Sequence, residues 1–327
     1  MAAKKKKKRT MKKRRIRQSP SQRVRRKSKK RQRRQRSQGN FAARRKKARV
    51  RRIRNPRQTT SSRSNPIYPR RILHRNKQHL SVIISVYNEQ HSIGRVLDEV
   101  KKLHPKEIIV VENGSTDRTL EICLSKKVTC FSYPFRVGHD VGRAIGAKEA
   151  TGDVLLFLDG DIVFSVKQLM PFVRACYRGV DIALNNVNPL YRRSAKLDAV
   201  SIAKMFLNRT IGKGRLRYAS LTAIPHAMTK KAVELIGPQH LAIPPKAQSI
   251  AGMAGLEMKA VHTVDVFTTN KIRHSNTNEN NVVEDLIIGD HVEAIQWVQA
   301  VTGERGTFTD IIRNRQLING ELVSQTL

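Results

Sequence analysis

From Leu80 onward the chain alternates between short apolar runs and segments whose apolar residues fall at helical spacing. That alternation admits few architectures. The run LSVIISVY is rich in strand formers. HSIGRVLDEVKKL then places Ile93, Val96, Leu97, Val100 and Leu103 on one helical face. EIIVVEN reads as a second strand, STDRTLEICLSKK as a helix with Ser or Thr available to cap it, and VTCFSY as a third strand. DVGRAIGAKEA reads as a third helix and DVLLFLD as a fourth strand. Apolar strands, each followed by a helix, predict an α/β fold with a mostly parallel sheet covered on both faces. Ligands in such sheets sit at the carboxyl ends of the strands. Three of those ends are polar: SVYNE from Ser85 to Glu89, ENGSTD from Glu112 to Asp117, and DGD from Asp159 to Asp161. The three should meet at one edge.

The second half is more mixed. VDIALNN predicts a strand, SAKLDAVSIAKMFLN an amphipathic helix, and RYASLTAIPHAMT a strand entering a turn. KKAVELIG predicts a helix ended by Gly237, and AVHTVDVFTT a strand. VEDLIIGDHVEAIQWVQAV is a long final helix, and residues 304–327 read as a poorly anchored tail.

Charge divides the chain. Residues 1–79 hold 35 Lys and Arg and no acid, whereas the remainder is close to balanced at a net +5. Such an arm buries too little apolar surface to offset the entropy of ordering, so it is expected to be disordered when free. Residues 80–303 then form the folded domain. The arm suits an anionic partner: a membrane surface, a nucleic acid or a wall polymer. It lacks the apolar core of a secretory signal, and no run in the chain approaches the roughly 18 apolar residues of a membrane span. Cys123, Cys130 and Cys176 are odd in number and lack metal spacing, which fits a reducing compartment. The expected location is cytoplasmic, at the inner face of a membrane.

The aspartates carry the chemistry. Two carboxylates spaced i, i+2 with Gly160 between them point to similar sides of an extended turn. They can hold a divalent cation, Mn²⁺ or Mg²⁺, and through it two phosphate oxygens. The same three residues can also simply close a hairpin. Here they follow VIISVYNEQHSIGRVLDEV and IIVVENGSTDRT in order, and together the three motifs resemble the family 2 glycosyltransferases with the GT-A, Rossmann-like fold. The resemblance covers about residues 80–303. It implies a metal-dependent enzyme that moves a sugar from a nucleotide-diphosphate donor to an acceptor, which the sequence does not name. Ser85, Tyr87, Glu89 and Asp159 fall on its donor-binding motifs, and Asp161 on its metal and catalytic position. The family's usual Asp-Asp is Glu112-Asn113 here, and the first of that pair commonly contacts the nucleoside.

RVGHDVGRAIGAKEATGD matches the helix that precedes the aspartates in such enzymes. Gly138, Gly142 and Gly146 either let that helix approach the sheet or let the donor approach the backbone, with Arg143 as a base or phosphate contact. His139 and Asp140 are weaker candidates in the same loop. VDVFTTNKIRHSN resembles the last core strand. In several GT-A enzymes, the glucosyl-3-phosphoglycerate synthases among them, a histidine just beyond it completes the metal site, which points to His274.

An inverting transfer to a hydroxyl needs a general base, and the resemblance places an Glu-Asp pair before the last strand. No such pair stands there. Glu257 lies among small and apolar residues, a setting that raises a carboxyl's pKa and suits a base. Glu284-Asp285 comes too late in the chain and reads as helix-dipole acids. Without a base, a retaining reaction is the better expectation. His226 either faces the acceptor or is a buried, hydrogen-bonded side chain. The stretch 194–207 is either core or a surface resting on a membrane. Two other classes compete: a degenerate α/β scaffold whose arm binds nucleic acid or another polyanion, and a nucleotidyltransferase. The arm has few aromatics to stack on bases. The turn after the first strand lacks the Gly-rich loop of nucleotidyltransferases.

Overall fold

The computed structural model describes residues 78–191, 197–266 and 281–313. The basic arm up to residue 77, His274 and the tail beyond 313 lie outside the described residues.

The first half alternates as the sequence predicts. The elements are β1 (Leu80–Val86), α1 (Ile93–Lys101), β2 (Glu107–Asn113), α2 (Thr119–Ser125), β3 (Thr129–Tyr133), α3 (Val141–Glu149), β4 (Val154–Asp159) and α4 (Val166–Tyr177). There follow β5 (Ile182–Asn185), a single turn α5 (Asn188–Tyr191), α6 (Ala199–Thr210), β6 (His226–Thr229), α7 (Lys230–Ile236), α8 (Pro244–Met253), β7 (Met258–His262) and α9 (Val282–Thr302). The sheet order is β3-β2-β1-β4-β6-β5-β7. Strands β1 to β4 pair in parallel, β6 runs antiparallel to both β4 and β5, and β7 is parallel to β5. The carboxyl ends of β1, β2 and β4 therefore share one edge, and Ser85 sits in register with Asp159.

Both faces are buried because alternate residues of each strand enter different cores. Val82 and Ile84 pack with Val96 and Leu97 of α1 and with Leu169 and Phe172 of α4. Ile83 turns the other way, with Val111, Leu155, Phe157 and Ala147 of α3. Helix α3 lies close on β1 because Gly142 and Gly146 present no side chain to it. A Cβ at Gly142 would stand 2.5 Å from Ser85 Oγ, and one at Gly146 would collide with Ile83. The small-residue stripe is thus accounted for by packing. Gly146→Ala is expected to cost about 1–3 kcal/mol in urea unfolding. Gly94→Ala, where the added carbon meets only ordinary contacts, is the control and should cost nothing measurable.

Three elements differ from expectation. Helix α4 fills a stretch to which the sequence reading gave no element, because Pro171 interrupts its pattern. Its start is fixed by Ser165, whose backbone N–H donates to Gln168 Oε1 at 2.9 Å. Helix α8 opens on two prolines, which the first helical turn tolerates. The last strand ends at His262, earlier in the chain than the run AVHTVDVFTT suggested. Asp265 therefore follows the strand instead of lying in it.

Candidate active site

The loops after β1 and β2 are laced together. Asn88 N–H donates to Ser115 Oγ (3.0 Å), and Thr116 N–H donates back to Asn88 Oδ1 (2.8 Å). Glu89 N–H donates to Thr119 Oγ1 (2.8 Å), and Gln90 N–H to Asp117 Oδ2 (3.1 Å). Asp117 also accepts from Thr119 N–H at 2.9 Å. Burial raises this carboxyl's pKa, but the hydrogen bonds from Thr119 and Gln90 outweigh burial and hold it below its usual value. Much of the polar character of YNE and GSTD is thus used to hold the rim of the site.

Beside that rim, β4 delivers the aspartates. Gly160 N–H donates to Ser85 O at 2.9 Å, closing the strand end onto β1. A Cβ on Gly160 would stand 2.5 Å from Val86 and 3.5 Å from Ile93. The glycine between the carboxylates is needed for that close approach, and no left-handed turn is involved.

Arg143 is the hub. Its Nη1 lies 2.7 Å from Asp140 Oδ1, and its Nη2 donates to both oxygens of Asp159 at 3.2 Å. Nη1 also donates to Leu221 O at 3.5 Å. Burial works against the guanidinium charge, but Asp140 and Asp159 outweigh it and hold the group above its usual pKa. Asp140 is itself pushed up by burial, with Arg143 pulling the other way.

An open cleft of about 100 Å³ lies at this edge. Ser85, Tyr87, Glu89, Arg143, Asp159 and Asp161 line it, so six of the residues singled out in the sequence come together. Val86, Asn113, Arg136, His139 and Gly160 complete the wall. Arg136 lies over the Tyr87 ring, 4.3 Å from its centroid. The sequence reading missed Arg136, because nothing in the loop spacing shows that it folds back onto Tyr87. Asn113 explains the departure from Asp-Asp. Its Oδ1 accepts from Val137 N–H (2.6 Å) while its Nδ2 donates to Gly138 O (2.9 Å). A carboxylate could do only the first. Asn113 thus hangs the loop that carries Arg136 and His139.

Other sequence candidates lie elsewhere. Glu112 is buried behind the wall, accepting from Ser132 Oγ (2.7 Å) and from Ser115 N–H. Gly138 serves the loop through its carbonyl. Glu257 does not have the apolar setting expected of it. It is exposed, 2.6 Å from Lys259 Nζ, and stands at the amino end of β7, the edge opposite the cleft. Its small neighbours Ala254 and Gly255 are themselves exposed, so they bury nothing. His226 is buried and stacked on Phe157 at 4.9 Å, with Nδ1 at 3.2 Å from Ala223 O. Burial, then Arg143, push its pKa down to about 3, so the ring is neutral. Glu284 and Asp285 occupy the first turn of α9, as their sequence position suggests. Asp290, further along α9, feels the charges of Asp140 and His139 at the flank of the site. Burial, then Asp140 and Glu293, push its carboxyl up to about 6.

Among the described residues, no group of three or more His, Cys, Asp and Glu could hold a metal by itself. The donor set on offer is Asp159 and Asp161. Two carboxylates suit Mg²⁺ or Mn²⁺ when substrate phosphates supply further oxygens.

The sheet, the switch to antiparallel β6 beside β4 and the carboxylate-bearing cleft define a GT-A domain. Solved structures share the fold. Mannosyl-3-phosphoglycerate synthase from Rubrobacter xylanophilus aligns with a TM-score of 0.51 at 13% identity, over 73% of this chain and 80% of that one. Glucosyl-3-phosphoglycerate synthase from Mycobacterium tuberculosis, in complex with uridine diphosphate, aligns with a TM-score of 0.50 at 18% identity, over 67% and 81%. Residues 81–222 match the family model for glycosyl transferase family 2, and the chain is a glycosyltransferase that resembles that family. Among curated relatives, undecaprenyl-phosphate 4-deoxy-4-formamido-L-arabinose transferase from Pectobacterium atrosepticum is 26% identical over 225 residues. That alignment covers 64% of this chain and 67% of the relative.

Proposed function

We propose that the chain transfers a sugar from a nucleoside-diphosphate donor to the phosphate of a lipid-linked acceptor. The observation that carries the donor half is the pair Asp159 and Asp161, presented with Tyr87 and Arg136 in one open cleft. Tyr87 and Arg136 offer flat faces to a nucleoside, and Arg143 steadies Asp159. Asp161, with Asp159, would hold a divalent cation, which when bound offsets the charge of the departing diphosphate.

The acceptor half rests on two supports. One is the name of the curated relative, an undecaprenyl-phosphate transferase. The other is chemical. A hydroxyl acceptor needs a base, and Glu257, the base expected from sequence, sits at the wrong edge. A phosphate monoester has a second pKa near 6, so its oxygen is already anionic at neutral pH and attacks without one. Such a surface-borne acceptor also fits an enzyme held at the inner face of a membrane. Among the described residues, no helix is long and apolar enough to cross one.

The test is calorimetry on the full chain with UDP, GDP and CDP, with and without Mn²⁺. One nucleotide should bind, and chelation of the metal should abolish that binding. Failure of all three to bind a folded protein would overturn the donor reading. Glu257→Gln should leave the rate of nucleoside diphosphate release within about twofold, since removing a true base costs about 10²-fold or more. A loss of that size would return Glu257 to the site.

A further inference from the structure

On α6, Ile202, Phe206 and Arg209 follow one another at spacings of four and three, so they share one face of the helix. That face turns away from the core: Ile202 is 49% exposed and Phe206 48%. The segment after α9 folds onto the same end of the helix. Thr307 Oγ1 donates to Thr210 O at 2.7 Å, and the Phe308 ring stacks on Phe206 with centroids 6.5 Å apart. Just beyond, Ile311 and Ile312 are 90% and 92% exposed. Single exposed apolar residues are ordinary on any protein. Five of them on two adjoining segments, with Phe206 and Phe308 in contact, form a patch, and patches of this kind mark interaction sites.

The rim is basic. Arg209, Arg305 and Arg313 flank the patch, and Asp310 is paired with both of the last two, at 3.9 Å and 2.8 Å. The inner side of α6 reaches the cleft through a relay. Gln248 Nε2 donates to Asn208 Oδ1 (2.6 Å), and Leu221 N–H donates to Gln248 Oε1 (2.8 Å). Leu221 O in turn accepts from Arg143, which holds Asp159. One helix and one side-chain relay therefore separate the patch from the catalytic edge.

We propose that this patch docks the enzyme on an anionic lipid bilayer, with Ile202, Phe206, Phe308, Ile311 and Ile312 entering the headgroup boundary and the arginines meeting lipid phosphates. Apolar side chains ringed by arginine suit that boundary, where long cationic side chains extend toward the phosphates. Charge selects the bilayer over a second copy of this chain. Two copies would bring arginine rims together on chains of formal net charge +40, whereas an anionic surface attracts them. Stable anchoring takes two signals, and the 35 Lys and Arg of residues 1–79 supply the second. The proposal rests on the lipid-linked reading above, because docking beside the cleft is what would present a bilayer-held phosphate to it.

The experiment is flotation of the full chain with vesicles of phosphatidylcholine and phosphatidylglycerol that contain no acceptor lipid, at about 0.15 M and about 0.5 M salt, the higher concentration screening the arm. The nearly wholly exposed pair is changed as Ile311→Ser with Ile312→Ser, which leaves the core untouched. The double variant should partition at least about tenfold less at high salt. In a separate variant, Ile312→Trp emission should move to shorter wavelength on vesicles and be quenched by brominated lipid. Equal flotation of wild type and double variant, or an unmoved emission, would overturn the proposal. So would a lipid-free dimer that the double variant dissolves. A water-soluble short-chain polyprenyl phosphate assayed in parallel separates the two readings: turnover with it would uphold the acceptor even if docking failed.

Discussion

Arg143→Ala is expected to lower the unfolding free energy by about 3–5 kcal/mol, the range for breaking a buried ion pair from one side. It is also expected to abolish nucleotide binding. Arg143 is 5% exposed and is shared between two acids, 2.7 Å from Asp140 and 3.2 Å from Asp159. Removing it leaves Asp140 buried with an uncompensated charge and frees Asp159 from its only cation at hydrogen-bond distance among the described residues. Lysine cannot substitute, because one ammonium cannot bridge both acids and Leu221 O at once. Urea unfolding followed by circular dichroism reads the stability. Adding Asp140→Ala to Arg143→Ala should recover part of the loss, since the double change removes a buried charge together with its partner. A single-variant loss under about 1 kcal/mol would show that the network is not what steadies this edge.

Asp161→Asn is expected to act the other way round, on turnover and hardly on the fold. Asp161 is half-buried and lines the cleft, and it stands within electrostatic reach of Arg143. The substitution keeps the shape of the side chain but removes its charge, at the position that the proposed reaction would turn toward the departing diphosphate. A loss of about 10²–10³-fold in kcat is the scale for deleting one electrostatic contribution to a transition state. The urea midpoint should stay close to wild type. Asp159→Asn should lose both activity and stability, because Asp159 also receives Arg143. Equal effects from the two substitutions would contradict this division of labour.

The alternating first half was legible because its strands are apolar throughout and its helices carry clean stripes; each element from β1 to β4 falls where the pattern put it. The second half was legible only in part. Helix α4 hides behind Pro171, and α8 behind a pair of prolines and a run of small residues. The cleft shows the same division. Residues carried on strand ends, such as Ser85 and Asp159, are placed by the topology, so their sequence order predicts their meeting. Arg136 and Glu257 were misjudged for a common reason: their positions depend on how a loop folds back or which end of a strand it joins. Neither follows from composition. Periodicity left Ile202 and Phe206 as either core or surface, because it cannot say whether another element arrives to cover a face.

The stitching of the β1 and β2 loops bears on how such an enzyme can change. Asn88 and Glu89 on one loop are matched bond for bond with Ser115 and Thr116 on the other and with Thr119 at the start of α2. Neither motif is a free-standing module. A chimera that takes YNE from one relative and GSTD from another would inherit donors without acceptors, and its rim would fall open. Exchanged as a pair, the two loops travel with their own fastening. The unit of inheritance at this site is therefore two segments some 25 residues apart in the chain, and sequence drift in one is constrained by the other.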